Sequence, residues 1–243
     1  MFKYFLETSE TIASGLGFDQ FGALHWFWLV LFVVAVILNC LLYRKLSEQG
    51  KSHWRKVMAI LLIADELFKM AILAIGDNYE WDYLPLHLCS VNIFVIAFHA
   101  WKPSRVLDNF LYTICIPGAL AALIFPTWTS LPLFNAMHLH SFTVHILLAM
   151  YPIVLFVCGD IKPDIKILPK SLAALILMAI PIYGLNLLLD TNFMFLMYAS
   201  KGNPLYYFEQ CWGNHLLGFP VIIVGVLIVM YFPLEVYRAV KRK

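Results

Sequence analysis

The chain has 243 residues, 62% hydrophobic and only 13% charged, with a formal net charge of +2 and a mean hydropathy of +0.79. A soluble domain carries about 25% charged residues, so this composition excludes a fully wetted surface and implies contact with lipid. The basic residues lie in short stretches between apolar runs and form no aromatic-interleaved patch, which excludes nucleic acid as a partner.

The first stretch, residues 1–23, contains Glu7, Glu10 and Asp19 and does not read as a cleavable leader. Its Phe2, Tyr4, Phe5, Leu6, Ile12, Leu16 and Phe18 suggest an interfacial segment on the outer face of the membrane, or else a loosely ordered tail. Seven apolar segments follow, at about Leu24–Tyr43, Val57–Ile75, Leu84–Trp101, Val106–Phe125, His138–Cys158, Ser171–Leu189 and Trp212–Tyr237. Each is near the ~20 residues that span a bilayer. An unpaired backbone is costly in lipid and strand-like alternation is absent, so the segments are expected to be helices. The expected fold is therefore all-α: a polytopic bundle of seven transmembrane helices over residues 24–237, followed by a basic tail at residues 238–243.

Orientation follows from lysine and arginine. Arg44, Lys45, Lys51, Arg55 and Lys56 lie between the first two segments, and Lys102 and Arg105 between the third and fourth. Lys162, Lys166 and Lys170 lie between the fifth and sixth, and Arg238, Lys241, Arg242 and Lys243 after the seventh. One side thus holds 14 of the 17 basic residues; Lys3 and Lys201 are on the other, and Lys69 is within a segment. The positive side is expected to be cytoplasmic, which places the N-terminus outside and the C-terminus inside.

Charged and polar side chains within spans point to function. The second segment contains Asp65, Glu66 and Lys69, and either carboxylate can reach the ammonium at helical spacing. The group is either an internal ion pair that orients helices or a direct participant in chemistry. The third segment opens at Leu84-Pro85, with His87, Cys89, Ser90 and Asn92 close behind; Cys89 and Asn92 share a face. The fifth opens with His138, His140, Ser141 and His145, and His138, Ser141 and His145 form one stripe. The sixth ends with Asn186, Asp190, Thr191 and Asn192, and the seventh begins with Asn214 and His215. All of these fall toward the outer end of their segments, which suggests a polar cavity there.

Three readings of that cavity follow. A cysteine activated by a histidine would be a nucleophile, with Cys89 and His145 the natural pair. His138, His140, His145, His215 and Glu66 are of metal-ligand type, but no HExxH or paired CxxC spacing accompanies them, so no metal is expected. A transporter or a lipid- or solute-binding protein would use the same polar residues without chemistry. The five cysteines, three of them inside or at the ends of apolar runs, do not form a disulfide framework.

Leu84-Pro85-Leu86-His87-Leu88-Cys89 resembles the LPLHLC signature of the YwaF-like bacterial integral membrane proteins, which are related to the eukaryotic transmembrane protein 164 family. Thr191-Asn192-Phe193-Met194-Phe195-Leu196 is similar to the TN(Y/F)MFL stretch of that family, and Glu66 and the region of His145 also fit. The resemblance covers roughly Val57 to Leu196. It departs from the family pattern at Glu209-Gln210-Cys211-Trp212-Gly213-Asn214, where a Gly-Pro-Trp segment is expected. It implies a multi-pass acyltransferase of the bacterial plasma membrane, which moves a fatty acyl chain between membrane phospholipids without a cofactor. Cys89 would be the nucleophile, His145 its base, and Glu66 a residue that orients a histidine. His87, Asn92 and Asn192 are candidate oxyanion donors, and Lys69, His138, Ser141, Asn186 and His215 complete the expected substrate-binding set.

Overall fold

The computed structural model describes residues 3–199 and 204–241. Phe2, Lys201, Gly202, Asn203, Arg242 and Lys243 lie outside the described residues. Every regular element among the described residues is helical. The chain forms two compact units, Met1–Lys162 and Pro163–Lys243.

The first unit contains α1 (Ala23–Lys45), α2 (Glu48–Ile75), α3 (Leu88–Trp101), α4 (Arg105–Phe110), α5 (Ile116–Ile124) and α6 (Ala136–Val157). Helix α2 begins at Glu48, well ahead of the expected Val57, because the Ser47 side chain caps it by accepting from the Gly50 N–H. The expected fourth span is α4 and α5 joined by a wide π turn, Leu111–Cys115. Pro117 follows that turn; it has no N–H to offer the preceding turn, and widened turns are a common accommodation.

Helix α6 is the centre of this unit and packs against α1, α2, α3 and α5. Its Phe142 is stacked on Trp28 of α1, and its Tyr151 is stacked on Trp54 of α2. Near the other end of α6, Tyr43 donates to Asp160 at 2.6 Å while the Arg55 guanidinium donates to the Tyr43 hydroxyl at 3.2 Å. Buried His99 bridges the Tyr151 hydroxyl and the Asp108 carboxylate at 2.7 and 2.9 Å.

The N-terminal stretch is built into this unit. Asn135 donates to the Tyr4 and Glu7 carbonyls, both at 2.7 Å, and Asn78 donates to the Leu6 carbonyl at 3.0 Å. The Ala136 N–H bonds the Phe5 carbonyl, and the Phe18 N–H bonds that of Thr129. Phe18 packs against His25, His138 and Phe142. Gly17 passes so close to the backbone of Thr129 and Ser130 that any Cβ would overlap it.

The second unit contains α7 (Leu168–Leu189), α8 (Pro204–Trp212) and α9 (Gly218–Lys241). The expected seventh span does not begin at Trp212. Trp212 ends the separate helix α8, and Gly213 turns the chain with a positive φ of 70° before α9.

Among the described residues, six segments are long and apolar enough to cross a membrane: Ala23–Lys45, Trp81–Trp101, Arg105–Ile124, Ala136–Val157, Leu168–Leu189 and His215–Lys241. Helix α2, the remaining expected span, is 28 residues long but carries Asp65, Glu66 and Lys69 in its apolar half. Large apolar side chains face outward in both units, among them Val30 and Leu38 on α1, Leu177 and Leu188 on α7, and Val229 and Phe232 on α9. A soluble protein buries such residues; a membrane protein presents them to lipid.

Candidate active site

Helix α3 begins at Leu88, later than the expected Leu84. The residue before a proline is pushed out of the helical region, and Leu84 has an extended ψ of 146°. Leu84-Pro85-Leu86-His87 is therefore a turn, and His87 is the N-cap of α3. Cys89 is thus the second residue of the helix, where its own backbone N–H has no partner from helical bonding. Helix α6 begins where the Asn135 side chain accepts from the His138 N–H at 3.0 Å. Its central packing against α3 brings His145 across to Cys89.

The Cys89 sulfur lies 3.2 Å from His145 Nε2. His145 Nδ1 lies 2.6 Å from the Ser141 backbone carbonyl. A carbonyl only accepts, so Nδ1 carries the proton and donates it to Ser141. Neutral His145 must then present the lone pair of Nε2 to the thiol, which is the tautomer a general base requires. The sequence reading gave Glu66 the task of orienting a histidine. For His145 that place is taken by the Ser141 carbonyl, one turn earlier on the same helix.

Glu66 instead pairs with Lys69, both on α2 and with side chains 7% and 8% exposed. Of the two carboxylates that could have reached the ammonium, Glu66 does so. Asp65 faces α6, accepting from the Thr143 hydroxyl at 3.1 Å and lying 3.1 Å from His140 Nδ1 in an ion-pair contact that is out of line for a hydrogen bond.

His138 lies elsewhere in the aromatic core. Its Nδ1 bonds the Leu131 carbonyl at 2.9 Å and its Nε2 accepts from the Trp28 indole at 3.0 Å, so both ring nitrogens are engaged by the protein. The His87 ring is held by the Asp82 backbone. Asn92, one turn beyond Cys89, is 2% exposed, and its Oδ1 has no hydrogen-bond partner among the described residues.

Trp128, in the loop before α6, is absent from the sequence-derived set. Its ring stacks on His145 at 5.2 Å with an 11° angle between planes, and it meets Phe142 edge-on. It is 8% exposed, and its indole N–H is buried with no partner among the described residues. An unmade buried hydrogen bond costs about 1–3 kcal/mol, so the open Trp128 N–H against His145 and the open Asn92 Oδ1 one turn beyond Cys89 fit a site built to receive a polar ligand. No group of three His, Cys, Asp or Glu side chains among the described residues is disposed to hold a metal ion.

Asn186, Asn192 and His215 belong to the second unit. Asn186 holds the following turn together: its Oδ1 accepts from Thr191 and from the Phe193 N–H, and its amide donates to the Phe193 carbonyl. Asn192 does the same for the next turn, bonding the backbone of Met197 and Tyr198. These two amides support left-handed backbone at Asp190, Met194 and Phe195, with φ of 54°, 57° and 55°. The TNFMFL stretch is therefore a turn bonded largely within itself through these two side chains. His215 is buried, 3.9 Å from Glu209. All five cysteines are free. Cys115 donates to the Leu148 carbonyl and Cys158 to that of Cys40, whereas Cys89 is bonded to a histidine.

The TMEM164 family matches residues 20–231 of the chain. No curated protein and no solved structure matches it. The match extends over most of both units, and the chain belongs to the TMEM164 family.

Proposed function

We propose that this TMEM164-family membrane protein is an acyltransferase that moves a fatty acyl chain between phospholipids through a thioester on Cys89. The observation that supports this reading is the hydrogen-bonded pair of Cys89 and His145, with the imidazole tautomer fixed by Ser141. In the first half-reaction the Cys89 proton passes to His145 Nε2 and the sulfur attacks the ester carbonyl of a donor lipid. The tetrahedral intermediate expels the lysolipid alkoxide, which takes the proton back from His145, and an acyl-thioester remains. In the second half-reaction His145 removes the proton of an acceptor hydroxyl, which attacks the thioester and releases the Cys89 thiolate to be reprotonated.

In the same reading α2 is a seventh span. Its charged residues Glu66 and Lys69 are buried, while Val57, Ile60, Leu67 and Ile75 are exposed. At about 1.5 Å per residue, its 28 residues are long enough to cross. Seven crossings, with residues 1–23 outside and residues 238–243 inside, put the lysine- and arginine-rich loops in the cytoplasm. The Cys89–His145 pair then opens toward the outer half of the bilayer, where an acyl chain can stay in lipid while its ester enters the site.

The test is intact-protein mass spectrometry of the purified chain after incubation with phosphatidylcholine vesicles of defined acyl composition. An adduct of acyl mass on the wild type, absent from Cys89→Ala and His145→Ala, is the expected result. Saturable lipid binding without any adduct would replace the enzyme by a lipid-binding or transport protein that uses the same cavity.

A further inference from the structure

We infer that the indole N–H of Trp128, with the backbone N–H of Cys89, forms the pocket that stabilises the oxyanion when Cys89 is acylated. This inference rests on the reading of Cys89 as a nucleophile and adds a catalytic residue to it. When sulfur attacks an ester carbonyl, the π electrons move onto oxygen, and that charge needs preorganised donors in a dry site. Of the three donors expected from the sequence, two are already engaged. Asn192 is consumed by its own turn, and the His87 ring is held by Asp82. Asn92, one turn beyond Cys89, has no hydrogen bond to its side chain among the described residues and stays open as a further donor beside the two named here.

Trp128 meets the need for a donor on three counts. Its N–H is a donor only, so it cannot repel the developing charge. It is 8% exposed and has no partner among the described residues, and a buried donor left open costs stability unless a ligand completes it. It is held against the imidazole that bonds the Cys89 sulfur. The second donor comes from α3. Cys89 is the second residue of a 14-residue helix, so its N–H is one of those that helical bonding leaves open. A side-chain N–H and the backbone N–H of the nucleophile make a two-donor pocket of the kind acyl transfer uses.

The experiment separates oxyanion stabilisation from every other way Trp128 could help. Full-length protein in detergent is reacted with p-nitrophenyl laurate, which acylates the thiol through a tetrahedral oxyanion and releases p-nitrophenolate. In parallel it is reacted with iodoacetamide, which alkylates the same thiol by displacement at a saturated carbon, with no oxyanion. Trp128→Phe keeps an aromatic ring against His145 and deletes the N–H. Its acylation rate should fall by about 10²- to 10³-fold, while alkylation stays within about twofold and the melting temperature does not fall. If Trp128→Phe is poorly folded, the benzothiophene isostere of tryptophan at position 128, which fills the same volume without an N–H, is measured instead.

Equal acylation by the variant and the wild type overturns the inference. So does an equal loss of acylation and alkylation, which would mean that Trp128 serves only to position His145. A wild type that is alkylated but never acylated at Cys89 overturns instead the underlying reading of the nucleophile.

Discussion

Cys89 and Glu66 are asked to do different things, and substitution separates them. Cys89→Ser preserves size and the hydrogen bond to His145 but replaces a readily ionised thiol with a hydroxyl. Acyl-adduct formation, followed by mass spectrometry, should drop below detection, while the thermal midpoint changes by no more than a degree or two. Glu66→Gln strands a buried ammonium, since the Lys69 side chain is 8% exposed. Removing one partner of such a pair costs about 3–5 kcal/mol, whereas replacing both by apolar residues is often neutral. Glu66→Gln should therefore melt well below the wild type, and the double variant Glu66→Gln/Lys69→Met should recover most of that loss. A double variant that is stable and still forms the acyl adduct would assign the pair to architecture alone. A stable but inactive one would give it a role in binding substrate.

At the scale of elements, one side chain makes several of the bonds that hold the N-terminal stretch. Asn135 caps α6 and holds the carbonyls of Tyr4 and Glu7. Asn135→Ala removes all three bonds at once, at about 1 kcal/mol each. Limited proteolysis should then cut the chain before Ala23 faster than in the wild type, with the rest of the first unit still resistant. An unchanged cleavage rate would show that the Asn78 and backbone bonds and the ring contacts of Phe18 suffice to hold this stretch. The helices themselves are largely legible in hydropathy, because in lipid a long apolar run has no alternative to the helix. Their ends are not. The start of α3 is set by Pro85, the break before α9 by Gly213, and the π turn after α4 lies next to Pro117. These are local conformational facts that a hydropathy profile averages away.

For the whole molecule, the distribution of lysine and arginine fixes a testable orientation. A reporter that fluoresces only in the cytoplasm, fused after Lys243, should be active, and one placed before Met1 should be silent. The result bears on α2 directly. If α2 did not cross, the two ends of the chain would lie on the same side, and both fusions would report alike. That Cys89 and His145 share one end of the bundle was also readable from the order of segments. Both segments enter from the same side of the membrane in any odd–odd pairing of spans, and each residue stands near the start of its own.

What the sequence determined by itself is the solvent this chain folds in and the helical class that solvent enforces, with Cys89 and His145 as a candidate pair. Composition, apolar run length and side-chain reactivity are properties of the chain before it folds. What only the tertiary structure decided is which neighbour each polar group meets. Spacing left Asp65 and Glu66 equally able to reach Lys69, and packing gave Lys69 to Glu66 and turned Asp65 toward α6. Spacing put His138 and His145 on one stripe, and packing gave one to Trp28 and the other to Cys89. Trp128, from a loop with no periodicity, comes to lie against the imidazole only because α6 sits at the centre of its unit. Hydrogen bonds and ring contacts are short-ranged, so they are settled by the last few ångströms of packing, which no one-dimensional pattern records.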